Sequence, residues 1–131
     1  MNRWILPCNI KYYDVFNAFK ELKILDWKQR SKRVSVGDLV YIYVGAPFSA
    51  IMFECQVVKI NLTSCEIDDS KFVLKTNNDF ESFKRHMRIK LIRSFDEKTL
   101  SMEIMHIYGE KGKIMGARKM SNGLIEYINQ I

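Results

Sequence analysis

Residues Val36 to Gly45 read V-G-D-L-V-Y-I-Y-V-G, and this stretch decides the fold class. Gly37-Asp38 is a turn signal, and Leu39 to Val44 is dense in β-branched and aromatic residues that suit a pleated surface. Gly45-Ala46-Pro47 breaks the run, and Ser49 to Leu62 resumes it as a second long strand. The pair predicts a hairpin. Val40, Ile42 and Val44 alternate with Tyr41 and Tyr43, so one set faces inward and the other outward.

Upstream of the hairpin, Trp4 to Leu6 followed by Pro7 predicts a short opening strand. Asn9 is placed to cap a helix over Tyr12 to Leu22, where Tyr12, Val15, Phe16, Phe19 and Leu22 recur at helical spacing. Lys23 to Val34 is basic and irregular around Trp27, which predicts a loop or a short edge strand. Downstream, Thr63 to Asp79 is polar, with Phe72 to Leu74 as a candidate strand, and Met87 to Ile92 alternates as another. Leu100 to Tyr108 reads as a helix ended by Gly109, and Gly112 to Met120 as a loop. Ser121 then caps a final helix whose apolar face carries Leu124, Ile125 and Ile128. The order of elements, without repeats or low-complexity tracts, predicts an α+β domain with a strongly bent sheet.

A chain of 131 residues, 47% of them hydrophobic, suits one domain over residues 1–131 with a single core. The formal charge of +6 is compatible with a polyanionic partner without establishing one. Cys8, Cys55 and Cys65 are widely spaced and form no C-x-x-C pair, which points to free buried thiols rather than a zinc site. The longest apolar run, Leu39 to Ala46, is too short to span a bilayer, and no secretory signal is visible. The expectation is a soluble cytoplasmic protein.

The ordered set of a Trp4-Ile5-Leu6-Pro7 strand, a Trp27-bearing basic loop and the Val36 to Gly45 strand resembles the EVE domain. That domain belongs to the PUA-like superfamily and is related to the YTH and ASCH domains. The chain departs from the common EVE pattern after Trp27, which is followed by Lys28-Gln29-Arg30 instead of a W-x-G-V-R-N run. Met115 to Ser121 (M-G-A-R-K-M-S) is similar to the EVE-like modules fused to restriction nucleases. The resemblance implies a PUA-like bent β-barrel with flanking helices. It also implies a concave pocket for a flipped, often modified, base of DNA or RNA.

A base held outside its stack needs an apolar or aromatic face and polar groups for its edge. Trp27, flanked by Asp26, Lys28 and Arg30 and off any amphipathic face, is the foremost stacking candidate; its plainer role is a lid on the first helix. Phe48 and Ser49 in the hairpin turn are candidates for a wall and a donor, against an ordinary turn with a partly exposed aromatic. Tyr43 is a candidate for the pocket mouth, although β-propensity explains it equally well. Asn9 is a candidate whose plainer role is a helix cap, and Asp38 one whose plainer role is a turn carboxylate. Trp4 reads as core.

The basic residues fall into three groups. Lys28, Arg30, Lys32 and Arg33 bracket Trp27 and form the candidate phosphate grip, together with Arg118 and Lys119 from the late group that includes Lys111 and Lys113. Lys84, Arg85, Arg88, Lys90 and Arg93 surround His86, and read as a solvated face. His86 and His106 lack ligand spacing, and no nucleophile, P-loop or zincin motif occurs, so neither catalytic nor metal-binding residues are assigned and no cofactor is expected. The expected function is a noncatalytic nucleic-acid-binding module. The alternatives are a protein- or small-ligand-interaction module with a basic face, or the reader part of a larger modification-dependent nuclease.

Overall fold

The computed structural model describes residues 1–75 and 85–131; Lys84 lies outside the described residues. The elements run β1 (Arg3–Cys8), α1 (Val15–Glu21), β2 (Ile24–Lys28), β3 (Leu39–Val44), β4 (Ala50–Leu62), β5 (His86–Ser94), α2 (Met102–Ile107), β6 (Arg118–Lys119) and α3 (Asn122–Gln130). A single 3-10 turn occupies Ser70–Phe72. The strands form one six-stranded mixed sheet in the order β2-β5-β4-β3-β1-β6, with β1 parallel to β3 and every other pair antiparallel. The fold is α+β as expected. Its sheet is bent but open, with β2 and β6 as edges. Register shifts along β4 at Glu54/Cys55, Val57/Lys59 and Lys59/Leu62 supply the bend.

The alternation seen in the sequence sorts the sheet into two cores. Trp4, Leu6, Val40, Ile42 and Val44 pack with Val15, Ala18 and Phe19 of α1. Ile5, Tyr41, Tyr43 and Ile51 pack on the other face with Met105 of α2 and Leu124 and Ile128 of α3. The β3–β4 hairpin forms as predicted, and Gly37 opens it at φ 95°, a conformation that favours glycine. β1 is longer than expected because Pro7, which lacks an N–H, sits beyond the reach of β6, where no ladder bond is required.

Four local expectations change. Residues Tyr12 to Asp14 do not join α1, because they bridge to the segment after the 3-10 turn. The Asp14 amide donates to Phe72 O at 2.8 Å, and the Leu74 amide to Tyr12 O at 2.8 Å. The candidate strand at Phe72–Leu74 is therefore an isolated bridge between Tyr13 and Val73. Asp14, not Asn9, caps α1, its side chain accepting from the Asn17 amide. Within the expected loop before Ser121, Arg118–Lys119 pair with Ile5 and Trp4 as β6. Ser121 caps α3 as expected, and Gly109, at φ 103°, ends α2.

Candidate functional site

Trp27 lies on β2, an edge strand, directly opposite Met87 of β5. Alternation puts Leu25 and Trp27 toward the α1 core and Asp26 and Lys28 toward the opposite face. Leu25 is fully buried, whereas Trp27, one pair nearer the strand end, is half-buried. A cavity of about 170 Å³ opens there, lined by Pro7, Cys8 and Asn9 after β1, Tyr12 and Tyr13 before α1, and Asp26, Trp27, Lys28 and Arg30. The loop after β4 closes the remaining side with Cys65, Asp69, Val73 and Lys75, and His86 of β5 completes the wall.

Each wall is fixed by an identifiable contact. Tyr13 meets Trp27 edge-on, with centroids 5.8 Å apart and an 84° interplanar angle, which fixes the indole plane. The Tyr13 hydroxyl donates to Asp69 Oδ2 at 2.7 Å, and burial together with this bond raises the phenol's pKa. Asp26 accepts from Arg88 Nε at 2.9 Å and from the amides of Glu66 and Ile67, so one carboxylate pins the loop across the sheet edge. Burial alone would raise the Asp26 carboxyl, but the guanidinium and the two amides outweigh it and hold it below the ordinary carboxylate range. Asn9 turns the chain out of β1: its Oδ1 accepts from the Lys11 amide, and its carbonyl from those of Tyr12 and Tyr13.

His86 faces Lys28 across the β2–β5 pair. Burial lowers its pKa; Asp26 and Asp69 pull it up, Lys28 pushes it down, and the net shift is downward. The imidazole is thus neutral at pH 7. Burial pushes the Cys8 thiol up to about 12, and Cys65 is raised as well, so neither thiol is activated as a nucleophile. Cys8 and Cys55 are buried as expected, but Cys65 is exposed. Among the described residues no helix is long and apolar enough to cross a membrane, and no group of three or more His, Cys, Asp or Glu is placed to hold a metal.

No family model matches the chain, and no curated protein matches it. Solved structures do. Human THYN1 in complex with 5-methylcytosine-containing DNA superposes with a TM-score of 0.66 at 7% identity, covering 99% of this chain and 96% of that one. The ASCH protein of Zymomonas mobilis gives 0.64 at 7% identity over 99% and 95%. A hypothetical protein of Leishmania major gives 0.65 at 15% identity over 99% and 93%. The fold is that of the PUA-like EVE and ASCH domains. At such identities the likeness is one of fold.

Within this PUA-like frame the cavity gathers only part of the set expected from sequence. Trp27, Asn9, Lys28 and Arg30 converge on it. Tyr43 is buried in the core beneath α2 and α3. Phe48 packs against Phe16 of α1, centroids 5.0 Å apart, and Ser49 accepts the Met102 amide on its carbonyl; both line a separate depression with Glu97 and Ile104. Asp38 is 2% exposed and accepts from the Asn2 amide, Trp4 Nε1 and the Ser35 amide, which makes it the anchor of the β1 and β3 starts.

The candidate phosphate contacts also divide. Arg118 donates to Lys111 O at 2.9 Å and stands 3.5 Å from Glu110, so it closes the loop before β6. Lys32 and Arg33 are exposed beyond β2. Arg33 and Lys119, from groups far apart in sequence, each stand over the Trp4 ring, 5.6 and 5.7 Å from its centroid. Sequence reasoning missed Tyr13, Asp69 and His86, which reach the cavity from separate segments. Only the polarity of Asp69 and His86 within otherwise ordinary stretches signalled them.

Proposed function

We propose that this PUA-like domain is a noncatalytic nucleic-acid-binding module that holds one chemically modified base in the cavity beside Trp27. The carrying observation is an aromatic wall in a cavity of about 170 Å³ at a sheet edge. Such a volume is close to the roughly 150 Å³ that holds benzene in an apolar protein cavity, and so suits one planar ring. Trp27 supplies a stacking face, its plane set by Tyr13. That a protein of the same fold, human THYN1, is seen with 5-methylcytosine-containing DNA supports the reading.

Lys28 and Arg30 at the cavity, with Lys32 and Arg33 leading away from it, supply a path for phosphates. Arg33 and Lys119, each over the Trp4 ring, add two further cations available to phosphates.

The test is a panel of single- and double-stranded DNA and RNA oligonucleotides, plain or carrying modified cytosine or adenine, at fixed salt. Stacking of about 1–3 kcal/mol predicts that Trp27→Ala weakens the preferred modified strand by about 5- to 150-fold, and plain strands far less. Free modified nucleoside should compete for the site, which a module built for an acidic protein partner would not permit. Arg33→Ala and Lys119→Ala should each flatten the salt dependence by about one unit. Absence of binding across the panel at low salt would overturn the proposal.

A further inference from the structure

Among the described residues, only His86 and Arg118 carry buried side-chain nitrogens without a hydrogen-bond partner. Arg118 has its ion pair with Glu110 and a bond to Lys111 O. His86 Nδ1 has neither, and His86 borders the cavity. A buried polar atom left unpaired is disfavoured, and native proteins keep few of them. Several side-chain acceptors at the cavity already take protein donors: the Asp26 oxygens from Arg88 and the loop amides, Asp69 Oδ2 from the Tyr13 hydroxyl, and Asn9 Oδ1 from the Lys11 amide.

We infer that His86 is the specificity-determining residue of this cavity, its unprotonated ring nitrogen accepting from the exocyclic amine of a cytosine- or adenine-type base. The inference rests on the base-binding reading of the cavity. A neutral imidazole keeps one nitrogen bare, and that nitrogen accepts an amine N–H but offers nothing to a carbonyl oxygen. A half-turn about the last side-chain torsion, which is broad for histidine, exchanges the covered Nδ1 edge of the ring for its other edge. The groups facing the ring are Asp26 and Lys28 of β2 and Asp69 of the loop after β4. Burial and Lys28 together keep the ring neutral against the two carboxylates.

Acid has a defined effect here. The bare nitrogen is present above the lowered pKa of His86 and is lost as pH falls through it. Amine-bearing bases then lose their acceptor, while the imidazolium gains a donor for the carbonyl of a uracil- or thymine-type base.

The experiment compares two single-stranded oligonucleotides that differ in one position, cytosine or uracil, binding to the full chain between pH 5.5 and 8. At pH 8 the cytosine strand should bind about tenfold more tightly, a ratio that shrinks toward unity at low pH. His86→Phe keeps a planar ring but should abolish both the preference and its pH response. His86→Asn offers both an acceptor and a donor and does not titrate, so it should narrow the preference and remove the pH response. Should His86→Phe fail to fold, the asparagine variant and the native pH profile decide. Binding that depends on Trp27 but keeps its preference and pH response in both variants overturns this inference alone. Binding indifferent to Trp27 overturns the base-site reading beneath it.

Discussion

The two tryptophans lie on the same face of one sheet and have opposite surroundings. Trp4, on β1 next to the edge strand β6, is 1% exposed; its indole N–H donates to Asp38 at 3.0 Å and two cations stand over its ring. Trp27, on the edge strand β2, is half-buried, touches Tyr13 edge-on and borders a cavity. Position in the sheet, rather than residue type, separates a structural aromatic from one left with a face to offer. The end of an edge strand has no neighbour to complete the packing, so loops do it, and here they leave a ring-sized gap.

Stability measurements can break this contrast. Trp4→Ala should have the largest effect, about 3–5 kcal/mol read as a shift in urea midpoint, because it empties a closed core position and removes one of the three bonds that Asp38 accepts. A small change would mean that Trp4 is not the closed counterpart of Trp27. Asp26→Asn should follow at about 2–3 kcal/mol, since it weakens the ion pair with Arg88 and the two charge-assisted bonds from the Glu66 and Ile67 amides that pin the cavity loop.

Acid tests the same bonds. Asp26 and Asp38 both have lowered folded-state pKa values; in each, burial is outweighed by the bonds the carboxylate accepts. Their stabilisation is therefore fully present above the ordinary aspartate value of about 3.9 and is lost as pH falls through the lower folded values. A melting-temperature profile should fall in that acid range, and less steeply in Asp26→Asn.

Trp27→Ala should reduce stability by only about 1 kcal/mol, since the ring is half-buried, while its effect on modified-strand binding is large. A loss as large as that of Trp4→Ala would make Trp27 a structural residue too. Smallest of all, Lys71→Ala breaks an exposed pair with Glu21 and should shift the midpoint by less than about 0.5 kcal/mol.

Much of the fold was legible because local chemistry decided it. The alternation of Leu39 to Val44 fixed both faces of β3, and Ser121 with the spacing of Leu124 and Ile128 marked α3. β2 was legible only as a loop or edge strand, since its pairing with β5 comes from a segment more than fifty residues away. The start of α1 was misplaced for a similar reason: Tyr12 and Asp14 bond to Phe72 and Leu74, which no local pattern encodes.

For the candidate site, neighbouring residues supplied the ingredients: a tryptophan among cations, strands of alternating pattern, and an α+β order of elements, while β2 turned the supposed loop tryptophan inward beside Leu25. Tertiary structure alone decided which groups share the cavity. It brought Tyr13, Asp69 and His86 to Trp27, placed Tyr43 and Asp38 in buried positions, and carried Phe48 and Ser49 to a different surface. Strand period and capping act over a few residues and are written in neighbouring letters. A cavity's lining is set by sheet order and by the bonds that pin distant loops, here those that Asp26 accepts from the Glu66 and Ile67 amides.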